Sequence, residues 1–188
     1  NAVWSTGEPI TSADVVWSWF RALSPTTAGD YAGQLFCIQR AEDWYNGKIT
    51  DRSQVGIRAL DERTLRVELN SPLAFFLELC SFPTLAVVPQ RTIEQYGDRW
   101  LHTKPLPTSG AFTLGAWRVN DKVRLLRNPR YWDATNTASA IIDILPVGSP
   151  NTALNLYETG AADVVWDKDL VPAELMDVLV KRPDFHSF

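Results

Sequence analysis

The hydrophobic positions of the N-terminal half recur mainly at helical spacing. Thr11 followed by Asp14 is typical of a capping box, and apolar residues then recur every three or four positions until Pro25. A second helix is predicted from about Ala28 to Asn46, where Gly47 supplies a C-terminal stop. The positions expected to face the core are Val15, Val16, Trp19, Phe20 and Leu23 in the first helix, and the second helix places Tyr31, Leu35, Ile38 and Glu42 on one face.

Two pairs of short runs predict β-hairpins. Residues 65–69 alternate between apolar and charged side chains, and the polar turn 61–63 separates them from the run 55–60. Residues 111–117 and 122–127 flank a second polar turn and predict another hairpin. Short helices are expected at 74–80 and 92–96.

The C-terminal part has the order strand, helix, strand. The strands are predicted at 141–147 and 163–166, and Ser149 and Pro150 begin a helix that ends at Gly160. Such a unit forms a parallel pair, and ligands gather beyond the carboxyl ends of its strands. A further helix begins at Pro172, and residues 185–188 suggest the start of another strand. The predicted fold class is therefore mixed α/β.

Composition and charge then narrow the functions to consider. The 188 residues are 45% hydrophobic, which is enough to bury a core. No apolar stretch reaches the roughly 18 residues that a membrane span requires. A net charge of −4 offers no basic excess for nucleic acid, which is therefore not expected as a partner. The pattern changes near residues 104–107, where we place a domain boundary.

Local marks of catalysis are missing from the sequence. It contains no GxSxG, HExxH, GxGxxG or phosphate-binding-loop motif. Neither His102 nor His186 lies in a cluster of Cys, Ser or carboxylate residues, so a solvated surface role is the better interpretation of His102. The eight tryptophans suit core packing or a ligand cleft. We expect no enzyme activity, no cofactor and no metal site.

The two cysteines leave their redox state open. Cys37 and Cys80 have no CxxC or zinc-like spacing, so they form either a disulfide or two thiols packed in the core.

Four segments in register resemble the family 5 extracellular solute-binding proteins, the oligopeptide- and dipeptide-binding group. The run WSTGEPIT at 4–11, continued by ADVVWSW at 13–19, is similar to that family's opening motif. The segments PTSGAF at 107–112 and LRNPRYWD at 126–133 resemble two further signatures. The helix TALNLYETG at 152–160, with Asp163 following, resembles a third.

The resemblance implies part of a type II periplasmic-binding-protein clamshell. Residues 1–106 would be most of a small inserted subdomain, and 107–188 would be part of lobe I. The amino-terminal strands and the opposing lobe would then lie outside the chain. The natural start is also expected to be missing, since Asn1 is not an initiator methionine.

The resemblance also implies candidate ligand contacts. Tyr31 matches a tyrosine that contacts the peptide main chain in oligopeptide-binding members, although packing within a helix is an equal alternative. Trp166 and Asp167 match the segment that faces the crevice, where an aspartate could pair with a ligand amine.

The main functional expectation is an extracytoplasmic component of an ABC importer. It would act as a monomer when full-length, capture peptides or similar small solutes, and deliver them to a membrane permease. The alternative is a ligand-sensing domain of a transcriptional regulator, and an enzyme with a dispersed site is a third hypothesis.

Overall fold

The computed structural model describes residues 2–27 and 29–186. Contacts divide the chain into two units: unit 1 comprises residues 1–115 and 125–142, and unit 2 comprises residues 116–124 and 143–188. This division passes through the strands of one sheet and does not coincide with the boundary expected near residues 104–107. The assignment of 1–106 to an inserted subdomain and 107–188 to lobe I stays a prediction.

The first helix of unit 1, α1, is the element that the sequence specifies most completely. It runs over Ser12–Ala22, and the backbone N and Oγ1 of Thr11 each donate to Asp14 Oδ2 at 2.7 Å. The predicted capping box is thus confirmed. Trp19 Nε1 donates to the Leu85 carbonyl at 2.9 Å, so the buried indole satisfies its donor while it fills the core.

The core of unit 1 gathers side chains from segments far apart in sequence. Its largest fully buried aliphatic side chains are Leu23, Leu35, Ile38 and Val55. Because α1 carries its apolar residues along one stripe, it covers this cluster with a single face. The buried residues of the cluster are Trp19, Phe20, Leu23, Leu35, Ile38, Ala41, Val55, Ile57 and Leu85.

The first predicted hairpin is confirmed. Strands β1 (Ile57–Ala59) and β2 (Leu65–Val67) pair antiparallel, with Ile57 opposite Val67. Ser12 Oγ donates to the Asp61 carbonyl in the connecting turn, which ties the start of α1 to the hairpin.

The long helix predicted between residues 28 and 46 is wrong. A 3₁₀ helix covers Ala32–Cys37, Ile38 forms an isolated antiparallel bridge with Leu69, and α2 covers only Ala41–Tyr45. Gln39 N donates to the Glu68 carbonyl at 2.8 Å, so backbone pairing with the hairpin edge replaces the helical hydrogen bonds. Residue 28 lies outside the described residues.

The predicted C-terminal stop of this segment is nevertheless present. Gly47 has φ +69°, a left-handed conformation that favours glycine. Two of the four positions expected to share a face, Leu35 and Ile38, are fully buried, whereas Tyr31 and Glu42 are exposed.

The remaining helices of unit 1 are short, and a three-stranded sheet follows them. Helices α3 (Phe76–Leu79) and α4 (Gln90–Tyr96) lie within or close to the predicted ranges. Strands β3 (Phe112–Arg118), β4 (Lys122–Arg127) and β5 (Ile141–Ile144) form a sheet in the order β3-β4-β5, which confirms the second hairpin and the strand after it.

The described residues of unit 2 form two α-helices. Helix α5 covers Pro150–Glu158, with Ser149 as its N-cap and Gly160 at φ +73° after it, as predicted. After Pro172 a 3₁₀ turn leads into α6 (Met176–Leu179), in the predicted place. No helix among the described residues is long and apolar enough to span a membrane.

The predicted strand at 163–166 is wrong. These residues adopt no regular secondary structure, so the expected parallel strand pair does not form within the described part of the chain. A strand is defined by its hydrogen-bonded neighbour, and β5 pairs with β4. The strand suggested at 185–188 likewise has no counterpart at residues 185 and 186, and residues 187 and 188 lie outside the described residues.

Candidate functional site

Tyr31 lies in unit 1 at the start of the 3₁₀ helix Ala32–Cys37. Its side chain is 59% exposed, and its ring packs edge-on against Phe82 with the ring centroids 5.4 Å apart. The contact fixes the ring on one side and leaves most of it accessible. Packing within a long helix, the alternative explanation, no longer applies because that helix does not form. An exposed phenol both donates and accepts hydrogen bonds, which suits recognition of a polar ligand.

Trp166 and Asp167 lie in unit 2, immediately before a 3₁₀ helix at Lys168–Leu170. Trp166 is 81% exposed. Asp167 Oδ1 accepts a hydrogen bond from Asp169 N at 2.9 Å and so caps the short helix. The carboxylate therefore has a structural role that is independent of any ligand.

The charge of Asp167 also acts on its neighbour. The pKa of Lys168 lies above its usual range, chiefly because its ammonium donates to Asp169 at 2.8 Å and also because Asp167 is close.

A second cluster in unit 2 surrounds Arg182. Its guanidinium donates to both oxygens of Asp184, at 3.1 and 3.0 Å, and to Glu158 at 3.1 Å. Tyr157 Oη donates to Asp184 at 2.7 Å. These hydrogen bonds, first that of Arg182 and then that of Tyr157, lower the pKa of Asp184 to about 2. The cluster connects α5 to the chain after α6, and its charged and polar groups hydrogen-bond to one another.

Two clefts among the described residues of unit 1 contain none of the predicted site residues. One, of about 870 Å³, lies between the 4–14 segment and α4, and the other, of about 500 Å³, lies beside the β1–β2 turn. Glu8 lines the larger cleft, and a hydrogen bond from Thr6 lowers its pKa, with smaller contributions from Arg91 and Arg130. Neither Glu8 nor Arg91 was a candidate from the sequence, because Glu8 lies in a motif that resembles a family signature rather than a catalytic one and Arg91 lies in no motif.

Three motif segments singled out in the sequence meet in unit 1. Ser5 N donates to the Thr108 carbonyl at 2.8 Å, and Thr108 N donates to Ser5 Oγ at 3.1 Å. Arg130 Nη1 donates to the Ser5 carbonyl at 2.9 Å and lies against Gly7, whose φ is +108°. The motif residues therefore bind each other, and their pattern reflects folding.

Asn128 is the buried centre of the third segment. Its side chain is 1% exposed, its Nδ2 donates to the Gly110 carbonyl at 2.9 Å, and its Oδ1 accepts from Arg130 N at 3.0 Å. The amide thus joins the start of β3 to the turn after β4.

Comparison with known proteins decides the family. The model described as bacterial extracellular solute-binding proteins, family 5 (middle), matches residues 1–182. This chain belongs to that family.

The family 5 chain is similar to proteins with named ligands. It is 37% identical over 184 residues to the periplasmic oligopeptide-binding protein OppA of Salmonella typhimurium, covering 97% of this chain and 33% of OppA. It is 36% identical over 180 residues to the probable deoxycholate-binding periplasmic protein YgiS of Escherichia coli, covering 95% of this chain and 33% of YgiS. The chain thus spans about a third of the length of these relatives.

A solved structure confirms the predicted fold. The crystal structure of the periplasmic oligopeptide-binding protein OppAIV from Borrelia burgdorferi superimposes with a TM-score of 0.91 at 33% identity, over 98% of this chain and 36% of that one. The family 5 chain therefore has the mixed α/β fold of part of a type II periplasmic binding protein. No group of three or more residues suited to hold a metal occurs in the ranges 2–27 and 29–186.

Proposed function

We propose that this chain is part of an extracytoplasmic receptor that captures peptides for an ABC importer. The observation that carries the proposal is the 37% identity to a periplasmic oligopeptide-binding protein over 97% of the chain. The proposal includes a periplasmic or other extracytoplasmic location, a membrane permease as partner, and a monomeric full-length protein. It also includes binding without catalysis, with no cofactor and no nucleic acid.

Tyr31, Trp166 and Asp167 are the proposed ligand contacts. The Tyr31 hydroxyl suits main-chain amides and carbonyls, which every peptide presents whatever its side chains. The exposed indole of Trp166 suits stacking on or covering an apolar ligand group, and the second oxygen of Asp167 can accept from an ammonium. Tyr31 and the Trp166–Asp167 pair belong to different units, and each is proposed on its own surroundings.

A bile-acid-like ligand is the second candidate. The probable deoxycholate-binding relative is nearly as similar as the oligopeptide-binding one, at 36% against 37% identity. A steroid would be bound mainly by apolar burial and would need few main-chain hydrogen bonds. The contribution of the Tyr31 hydroxyl therefore separates the two ligands.

The test is calorimetry on the full-length protein that contains this chain, with short synthetic peptides and with deoxycholate as probes. Tyr31→Phe keeps the edge-on contact with Phe82 and removes the hydroxyl, so peptide affinity should fall by roughly 2- to 10-fold, the range of one net hydrogen bond. Tyr96→Phe, at another exposed tyrosine of unit 1, is the matched control and should leave the affinity unchanged. Tight deoxycholate binding without peptide binding would contradict the peptide proposal.

The regulator alternative predicts a different gene product. A signal peptide ahead of this region in the full-length protein would support the transport receptor. A helix-turn-helix domain there would instead support a ligand-sensing regulator.

A further inference from the structure

Cys37 and Cys80 occupy neighbouring segments at the edge of the unit 1 core. Both are free thiols, both are partly exposed, and both pack against the same cluster of buried residues. Cys37 ends the 3₁₀ helix Ala32–Cys37, and Cys80 directly follows α3.

The segments that contain Cys37 and Cys80 are held in place by ring contacts and backbone hydrogen bonds. The Tyr31 ring contacts Phe82, two residues beyond Cys80, at 5.4 Å. The Cys37 carbonyl accepts from Asn70 N at 2.9 Å, and Asn70 Nδ2 donates to the Phe36 carbonyl at 2.8 Å, so the position of Cys37 is fixed from the hairpin side. Cys80 N donates to the Phe76 carbonyl at 3.1 Å, which fixes it at the end of α3.

The surroundings of the two thiols set their pKa values in the same direction. Burial raises the pKa of both groups above the usual range, and the neighbouring Cys80 raises the pKa of Cys37 further. At neutral pH both groups are therefore protonated thiols, and their exchange reactions should become faster as the pH rises past the ordinary thiol pKa of about 8.5.

We infer that Cys37 and Cys80 form a redox pair, which a disulfide oxidant joins into an intramolecular disulfide. One cysteine thiolate attacks the oxidant's disulfide, forming a mixed disulfide and releasing one oxidant thiol. The second cysteine then attacks the mixed disulfide, which forms the Cys37–Cys80 bond and releases the second thiol. The protein loses two protons and two electrons, and the oxidant is reduced to two thiols. The bond would tie the segment after Tyr31 to the end of α3.

The experiment places the chain in glutathione redox buffers and measures the equilibrium between dithiol and disulfide by intact mass. A peptide map then locates the bond. The Cys37–Cys80 disulfide should be favoured in native buffer over concentrated urea by at least roughly tenfold, because the fold raises the effective concentration of one thiol at the other. The apparent melting temperature of the oxidised chain should be higher by roughly 10 °C, as expected for closing a loop of about forty residues.

The matched control moves one thiol by one position. The double variant Cys80→Ser with Ser81→Cys places the thiol at an exposed residue, outside the positions that pack on the core. Its native and urea equilibria should agree within a few-fold, and Cys37→Ser alone should yield only mixed disulfides with glutathione. Equal equilibria for the unaltered chain in native buffer and urea, or predominantly mixed disulfides under native conditions, would overturn the inference.

Discussion

Replacing Gly56 with alanine should destabilise unit 1. A Cβ at this position would lie 2.5 Å from the Glu68 carbonyl oxygen, 2.9 Å from Glu68 Cβ and 3.0 Å from Gln39 Cβ. All three separations are shorter than van der Waals contact, and the nearest atom is backbone, which cannot rotate away. Gly56 is therefore required by the close approach of two neighbouring chain segments.

The loss of stability in Gly56→Ala depends on the backbone hydrogen bonds that the added Cβ would displace. Gly56 N donates to the Gln39 carbonyl at 2.9 Å, Gly56 O accepts from Glu68 N at 2.8 Å, and Gln39 N donates to the Glu68 carbonyl at 2.8 Å. Overpacking alone costs about 1–3 kcal/mol, and weakening one or two of these hydrogen bonds adds roughly 1 kcal/mol each. We therefore expect the free energy of unfolding to fall by about 2–4 kcal/mol.

Urea denaturation followed by tryptophan fluorescence measures this change. Gly33→Ala is the matched control, because no atom lies within 4 Å of a Cβ added there. Its effect should range from zero to a stabilisation of about 1 kcal/mol, since alanine restricts the unfolded chain. If Gly56→Ala unfolds at the same urea concentration as the unaltered protein, the packing argument is refuted.

Two further predictions concern polar groups. Asn128→Leu should lower the free energy of unfolding by about 2–4 kcal/mol, because it leaves a carbonyl and an amide without their buried partner; a loss below about 0.5 kcal/mol in urea denaturation would contradict this role. Asp184 should titrate near pH 2 by carboxyl NMR, below the ordinary aspartate value of about 3.9, and Arg182→Gln should raise its pKa. Because folding lowers this pKa, the interaction of Arg182 with Asp184 stabilises the protein above a pH of about 4 and is lost as the pH falls toward 2. An Asp184 titration at the ordinary aspartate pKa would exclude the interaction.

Local signals predicted the elements whose hydrogen bonds are local. The Thr11–Asp14 capping box begins α1, and Ser149, Pro150 and Gly160 bound α5, because caps and left-handed glycines act within one turn. Hairpins were predicted for the same reason, since alternation and a polar turn lie next to each other in sequence.

The predictions that proved wrong are those for segments whose backbone hydrogen bonds depend on residues distant in sequence. Residues 38 and 39 pair with the edge of the first hairpin, so the helical spacing of Leu35 and Ile38 did not produce one long helix. The segment 163–166 has strand-like composition, yet composition cannot supply a paired neighbour.

Only part of the candidate site could be predicted from the sequence. Tyr31 and Trp166 are exposed, and their contact with a ligand stays a prediction. The sequence position of Asp167 does not show whether its carboxylate caps the 3₁₀ helix or faces a ligand. The family motifs were informative about the fold, because Ser5, Thr108 and Arg130 bind one another.

The most direct test of the peptide-receptor proposal is native mass spectrometry of the full-length protein as it is purified from its own cells. The proposal predicts a set of bound masses that dissociate as short peptides, and their amount should fall in the Tyr31→Phe variant. A single bound steroid acid, sugar or metal complex would contradict it.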